Sequence, residues 1–207
     1  MKSKTLLFSG LSCLSIFGLL ALGVIYRFSG LQTFDDHSLQ LATQTITPLK
    51  TAILQTISLL GSPRSVVILT VLLCIYLWLR KQRILSLEIA SFQSLGALAV
   101  ILIKNSIARP RPSQQLMAAS GFSFPSGHTF GTTTLILILI LLLLPRLSTF
   151  PKRFLVSSLG LIGIIIVAYS RVYLHNHFPS DVLAGFFLAL AYIFLGNYLR
   201  KKFRTSF

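Results

Sequence analysis

Acidic side chains are scarce in this sequence of 207 residues, which has 4 Asp and Glu against 19 Lys and Arg. Charged residues of both signs make up 11% of the chain, whereas soluble domains usually carry about 25%. So small a charged fraction cannot cover a surface that faces water, and the 54% of hydrophobic residues also excludes an intrinsically disordered chain. The composition indicates a membrane protein that crosses the bilayer several times.

Cysteine is also scarce. Cys13 and Cys74 each lie within an apolar run, where a free thiol behaves as a small buried hydrophobe. Two cysteines supply neither a disulfide framework nor the spacing of a metal site, so the redox compartment stays open.

The net charge of +15 would suggest a nucleic-acid partner in a soluble protein. Here the Lys and Arg residues cluster at the ends of apolar segments, where they anchor a membrane protein beside anionic headgroups. Their placement predicts membrane lipids as partners and no nucleic acid.

Six segments approach the roughly 20 apolar residues that a spanning helix needs. In chain order they are 6–26, 62–79, 84–103, 127–144, 154–169 and 182–199. The first is longer than the core of a signal peptide and is expected to remain as a span, while the second and fifth are short. The prediction is an all-α bundle of six transmembrane helices that forms one integral membrane domain over residues 1–207.

The segment 34–60 is amphipathic rather than uniformly apolar, with hydrophobic residues at helical spacing and polar residues between them. Pro48 is expected to divide it into two short helices that lie in the membrane interface. Such a stripe is either a hairpin packed against the bundle or a lid over a lipid entrance, and packing is the favoured interpretation.

Three cations, Lys104, Arg111 and Arg171, follow predicted spans and lack local acids to neutralise them. Arginine and lysine in such a cluster suit an anionic ligand, and the fork of arginine matches phosphate oxygens. Ser126 and Gly127 open the fourth span, where unpaired backbone N–H groups also favour an anion. These five residues are the predicted phosphate-binding set. Arg109, close by, fits a side chain that reaches toward the headgroups.

Two histidines, His128 and His177, and one acid, Asp181, are the candidate catalytic residues. His177 and Asp181 are four residues apart at the start of a helix, so the carboxylate can accept the Nδ1 proton and leave Nε2 free to attack. His128 begins another helix. His175 has two interpretations: it is a zinc ligand, or it is solvent-exposed or hydrogen-bonded in a polar loop. The second interpretation is favoured. Asp35, Asp36 and His37 are expected to cap a helix.

These residues fall in three motifs, Lys-x6-Arg-Pro, Pro-Ser-Gly-His and Ser-Arg-x5-His-x3-Asp, which run in order from 104 to 181. The chain therefore resembles the type 2 phosphatidic acid phosphatase superfamily, and the six-span layout extends the resemblance to nearly the whole chain. The resemblance implies that His177 is a nucleophile that forms a phosphohistidine, that His128 protonates the leaving oxygen and later activates water, and that no metal or other cofactor takes part.

The expected function is hydrolysis of the terminal phosphate of a lipid phosphate or diphosphate, with undecaprenyl diphosphate and phosphatidylglycerol phosphate favoured because the compact chain resembles bacterial members. A phosphotransferase that uses the same phosphohistidine, and a non-catalytic relative that binds or transports phospholipids, are the alternatives.

The basic residues also predict an orientation. Twelve of the 19 fall on one side if the six spans alternate, and positive-inside bias makes that side cytoplasmic. The twelve are Lys2, Lys4, Arg80, Lys81, Arg83, Arg146, Lys152, Arg153, Arg200, Lys201, Lys202 and Arg204. Both termini are then cytoplasmic, and the motifs face the outside of what is expected to be a bacterial plasma membrane.

Overall fold

The computed structural model describes the backbone of residues 3–204 and the side chains of residues 3–202. Lys2, which the orientation argument counts, lies outside the described residues. The described residues form helices joined by loops, without strands, and a 3-10 turn at Leu144–Arg146 follows the sixth helix. The helices are α1 (Ser3–Ile25), α2 (Ser29–Thr43), α3 (Pro48–Leu60), α4 (Pro63–Leu79), α5 (Arg83–Ile107), α6 (Gly127–Leu143), α7 (Phe150–Tyr173) and α8 (Pro179–Arg204).

Five of the described helices are long and apolar enough to cross a membrane: α1, α5, α6 together with the 3-10 turn that follows it, α7 and α8. The sixth, α4, meets that description only together with α3, to which it is joined at a bend of 44°. The prediction of a helical bundle that crosses the membrane several times is confirmed. The second span, predicted over 62–79 and expected to be short, corresponds to the continuous 17-residue helix α4, and the bend lies before it, at the junction with α3.

The fifth span is longer than its hydropathy indicated. The apolar run 154–169 is extended at both ends by polar turns, so that α7 covers Phe150–Tyr173. Hydrogen bonding along a helix continues where the apolar stretch stops, because the last turns can lie among headgroups or other polar groups. Arg171 therefore belongs to the last turn of α7 rather than to the loop that follows it.

The amphipathic segment forms two helices, as predicted from Pro48. Pro48 is the first residue of α3, and the Thr47 hydroxyl caps that helix by accepting from the N–H of Lys50. Both helices pack against α7, and α2 also contacts α8. The segment is therefore packed against the bundle, close to the loop that joins α7 and α8.

The centre of the bundle is α6, which contacts α4, α5, α7 and α8, while α1 packs along α8. Most of the outward surface carries large apolar side chains, as a protein embedded in lipid requires. Gly185 lets α8 approach the start of α6, since a Cβ there would lie 2.6 Å from the carbonyl oxygen of Ser126. This contact brings the ends of α5 and α7 and the starts of α6 and α8 to one end of the bundle.

Candidate active site

The three predicted motifs meet at this end of the bundle. Lys104 is in the last turn of α5, His128 in the first turn of α6 and Arg171 in the last turn of α7, whereas Arg111 and His177 are in the loops that follow α5 and α7. The structure brings together all eight predicted site residues, which sequence separations of up to 77 positions keep apart along the chain.

Lys104, Arg111 and Arg171 form what we call the cation cluster. The Nζ atom of Lys104 donates to the carbonyl oxygens of Phe122 and Ser123, at 2.8 and 3.1 Å. Arg111 donates to the carbonyl oxygens of Ser120, Gly121 and Asn176, at 2.9, 2.9 and 2.6 Å. These two cations are thus held by backbone oxygens, which leaves their charges without acidic partners among these contacts.

Arg171 is fully buried, and its Nη1 atom donates to the hydroxyl of Ser58 in α3. Its Nε atom has no hydrogen-bond partner within residues 3–202. An unpaired N–H on a buried guanidinium is costly unless a ligand accepts from it. The buried cation therefore suits an anion at this position.

The start of α6 is capped by Ser126, whose hydroxyl accepts from the N–H of Thr129. The Ser126 N–H donates to the carbonyl oxygen of Asp181, at 2.9 Å. The Ser126 hydroxyl only accepts in these contacts, so its own hydrogen stays available to donate to a phosphate oxygen, as the sequence argument predicts. Gly127 faces the cluster, since a Cβ there would lie 3.8 Å from Cε of Lys104. The N–H groups of the first turn of a helix lack intrahelical partners, so this turn remains suited to an anion.

His177 is almost completely buried. Its Nε2 atom lies 3.3 Å from Nη1 of Arg111, and its ring centroid is 6.5 Å from that of His128. Burial, followed by the positive charges of the cation cluster, lowers the pKa of His177 well below its ordinary value. The imidazole is therefore neutral near pH 7, with Nε2 able to accept from Arg111 when Nδ1 carries the proton.

Asp181 is fixed on the other side of the histidine ring. Its Oδ2 atom accepts from the N–H of Phe178, as in a capping box, and lies 3.5 Å from Nδ1 of His177. Its Oδ1 atom accepts from Nη1 of Arg109, at 2.7 Å. The spacing of four residues thus places the carboxylate beside the imidazole, although His177 Nδ1 has no hydrogen-bond partner among the described residues.

The interpretation of Arg109 as a side chain among headgroups is wrong. Arg109 is largely buried, forms ion pairs with both Asp181 and Asp35, and lies over the ring of Phe178 with a centroid distance of 4.0 Å. Asp35 was expected to cap a helix, and it does accept from the N–H of Ser180 in the first turn of α8. Its pairing with Arg109 escaped the sequence argument, although a buried acid in a chain with so few acids requires a cation.

Asp36, His37 and His175 are close in sequence to these residues, and they differ in solvent exposure. Asp36 and His37, next to Asp35, are exposed. His175 is buried, and its Nε2 atom lies 3.2 Å from Oγ1 of Thr43 in α2. Burial lowers the pKa of His175, so that the ring is neutral and hydrogen-bonded to Thr43. Within the described part of the chain, His, Cys, Asp and Glu side chains form no group of three that could hold a metal ion.

An apolar cleft of about 740 Å³ leads away from the site between α4, α5 and α6. Lys104 and Gly127 line it at the site, Ser94 lines it midway along α5, and Trp78 lines its far end. A charged pocket that continues into an apolar cleft fits an amphiphile with an anionic head.

Comparison with known families gives an independent view of this site. A model described as the PAP2 superfamily matches residues 86–205, which is more than half of the chain. The matched region contains every predicted site residue and leaves out α1 to α4.

Two curated relatives illustrate the likeness. Phosphatidylglycerophosphatase B of Bacillus subtilis (strain 168) is 37% identical over 107 residues, which are 50% of this chain and 52% of that protein. An undecaprenyl-diphosphatase of Sulfolobus acidocaldarius is 40% identical over 67 residues, which are 32% of this chain and 28% of that protein. The matches thus span about half of the first relative's length and less of the second's.

A solved structure extends the likeness to nearly the whole fold. The crystal structure of a transmembrane PAP2 type phosphatidylglycerolphosphate phosphatase from Bacillus subtilis superposes with a TM-score of 0.86 at 26% identity. The superposition covers 94% of this chain and 97% of that chain.

Proposed function

The chain belongs to the PAP2 superfamily, and on that premise we propose that it is an integral membrane phosphatase that removes the terminal phosphate of a lipid phosphate or diphosphate. The observation that carries the proposal is the grouping of the cation cluster, two histidines and Asp181, in which Lys104 also lines one end of an apolar cleft. The cluster suits the phosphate, the histidines suit its transfer, and the cleft suits a lipid tail.

His177 acts as the nucleophile in this proposal. Its neutral Nε2 attacks the terminal phosphorus, so that a P–N bond forms while the P–O bond to the lipid leaving group breaks. The lone pair is available because the pKa of His177 is lowered and because Asp181 faces Nδ1. Asp181 stabilises the positive charge that the ring gains on attack.

His128 serves as the proton donor and then as the base. It protonates the departing lipid oxygen, and in the second step it takes a proton from the water that attacks the phosphohistidine. The products are the lipid alcohol, or the lipid monophosphate from a diphosphate, together with inorganic phosphate. The two ring centroids are 6.5 Å apart, so both histidines are close enough to contact the same phosphoryl group.

The cation cluster binds the phosphoryl oxygens and stabilises their charge in the transition state. Arg111 already contacts Nε2 of His177, and the unpaired Nε of Arg171 supplies a further donor. The N–H groups of Gly127 and His128 at the start of α6 complete this set. Ser126 contributes by holding that turn in place.

The lipid tail occupies the cleft between α4, α5 and α6. Its lining is apolar apart from the residues near the site and a few hydroxyl and amide groups, so it suits hydrocarbon and does not select a headgroup. Phosphatidylglycerol phosphate and undecaprenyl diphosphate are the favoured substrates, supported by the names of the two curated relatives. Inorganic phosphate release from each lipid by the purified protein tests this proposal.

The panel consists of these two lipids, phosphatidic acid and diacylglycerol pyrophosphate, each presented in detergent with and without EDTA. We expect phosphate release from at least one of them that persists in EDTA and is absent from the His177→Ala variant. Transfer of the phosphate to an added alcohol instead of water would indicate a phosphotransferase. Loss of turnover in EDTA and its return with a divalent cation would overturn the metal-independent mechanism and reopen His175 as a ligand.

A further inference from the structure

Asp35 lies in α2, outside the residues that the family model matches, yet its side chain is fully buried at the site. Its Oδ1 atom accepts from the N–H of Ser180 at 2.9 Å, and its Oδ2 atom accepts from the Ser180 hydroxyl at 2.6 Å. The same Oδ2 atom accepts from Nη2 of Arg109 at 2.7 Å. Among the described residues, the hydrogen bonds of this carboxylate are thus with Ser180, which precedes Asp181 in the chain, and with Arg109, which also binds Asp181.

Arg109 connects the two carboxylates. One terminal nitrogen donates to Asp35, and the other donates to Asp181 and to the Ser180 hydroxyl, each at 2.7 Å. A guanidinium is planar and rigid, so anchoring one nitrogen fixes the position of the other. Contact with the ring of Phe178 holds the plane of the guanidinium from one side.

Arg109 also shares its single positive charge between the carboxylates of Asp35 and Asp181. If Asp181 were its sole partner, the guanidinium would neutralise the carboxylate that faces His177. Asp35 takes part of that interaction, because both carboxylates lie equally close to the single cation. The two carboxylates and the guanidinium together therefore carry one net negative charge beside the imidazole, which stabilises the ring when it becomes positive as its other nitrogen attacks phosphorus.

We propose that Asp35 is a positioning residue of the active site, which acts through Arg109 to orient Asp181 toward His177. The inference rests on the proposed function. It adds Asp35, in α2, to the group formed by His177, His128 and Asp181. A simple helix cap is the competing explanation for Asp35, because it accepts from the first turn of α8.

The variants are made in the full-length protein in detergent, and kcat and KM are measured on the lipid that the panel identifies. Asp35→Asn keeps the shape and one acceptor oxygen, and we expect kcat to fall by about 10- to 100-fold, as for other residues that orient a catalytic group, while KM changes by less than about threefold. Asp36→Asn is the matched control, since it removes the same charge from an exposed neighbour on the same helix, and it should leave both constants unchanged.

A double-mutant cycle separates positioning from capping. If Asp35 acts through Asp181, then Asp35→Asn should cost less than about twofold in the Asp181→Asn background, because the carboxylate that it orients is already gone. A helix cap would instead cost the same factor in both backgrounds. Should Asp35→Asn lower the melting temperature so far that it cannot be purified, Arg109→Lys replaces it, with the same expected loss of kcat and the same lack of additivity.

Equal kcat for Asp35→Asn and Asp36→Asn, with an active wild type, would overturn the inference and leave the proposed function standing. Additive losses in the Asp181→Asn background, for Asp35→Asn or for Arg109→Lys in its place, would do the same. Absence of turnover by the wild type on every lipid would overturn the proposed function, and the inference would fall with it.

Discussion

The Nδ1 atom of His177 lies 3.5 Å from the Oδ2 atom of Asp181, one helical turn further along the chain. At this distance Nδ1 has no well-aligned hydrogen bond among the described residues, while Nε2 on the opposite side of the ring faces Arg111. Catalytic hydrogen bonds are often long without substrate and tighten in the complex. A phosphate that draws Arg111 away would free Nε2 and let the ring settle on Asp181.

Removing this imidazole should end turnover. We expect His177→Ala to lower kcat by at least about 1,000-fold, because the nucleophile and its covalent intermediate are lost together. The P–N bond of a phosphohistidine is hydrolysed in acid, so the reaction with lipid carrying a labelled terminal phosphate is quenched with detergent at alkaline pH. This quench should trap labelled protein from the wild type and none from this variant. His128→Ala should slow both formation and decay of the label by about 100-fold or more.

His175→Ala is the control for these measurements, since it removes a buried histidine two residues away that contacts Thr43. We expect it to keep kcat within about tenfold of the wild type, as the effect reaches the site only through packing. Labelled protein from His177→Ala together with an inactive His175→Ala would transfer the nucleophile to His175.

The pH dependence of kcat/KM should report the lowered pKa of His177. A lowered pKa means that the ring stays neutral as the pH falls, so protonation removes activity only below the ordinary histidine value of about 6.5. We therefore expect an acidic limb below that value in the free enzyme. Lys104→Met removes one of the charges that lower the pKa, so its acidic limb should move to higher pH even though its overall activity falls.

Sequence and structure agree where local information is sufficient. Apolar runs located the spans, and the motif spacing located Lys104, His128 and His177, because a helix turn and a span length fix which end of the bundle each residue reaches. The ion pair of Arg109 with Asp35 could not be found this way, since the two residues are 74 positions apart and meet through tertiary packing, in which α2 lies against α7 and α8. Hydropathy likewise missed the polar last turn of α7, which carries Arg171.

The cleft can be tested by filling it. Ser94 lines the cleft about 15 Å along α5 from Lys104, and we expect Ser94→Trp to raise KM for long-chain lipid phosphates by about tenfold or more. Short-chain substrates, whose tails do not reach this far, should be affected much less. Phosphate release from a long and a short lipid by the same preparation gives the comparison.

Ser91→Trp is the matched control, because Ser91 is on the same helix but lines a different groove, between α5, α6 and α8. It should leave the kinetics of both lipids unchanged. Equal effects of the two tryptophans, or an equal loss on both lipids with Ser94→Trp, would contradict the placement of the tail.

Gly185 should tolerate no side chain. A Cβ at this position would lie 2.6 Å from the Ser126 carbonyl oxygen, so Gly185→Ala has to push α8 away from the start of α6. We expect a loss of about 1–3 kcal/mol of stability and a fall in kcat of about 100-fold, because Asp181 and His128 are carried by the two helices that separate. Gly18→Ala, where no atom lies within 4 Å, should keep the wild-type melting temperature and kcat.

The orientation in the membrane is the last prediction. The lysines and arginines at the start of α1, between α4 and α5, between α6 and α7 and at the end of α8 outnumber those at the site, and positive-inside bias assigns that majority to the cytoplasm. Single cysteines at Ser120, in the loop beside Arg111, and at Ser148, in the loop before α7, report the two sides in a background without Cys13 and Cys74. Both positions are exposed, and the Arg111 contact at Ser120 uses the backbone oxygen, which a cysteine retains. A membrane-impermeant thiol reagent added to intact cells should label position 120 and spare position 148. The reverse pattern would place the site in the cytoplasm and restrict its substrates to lipids of the inner leaflet.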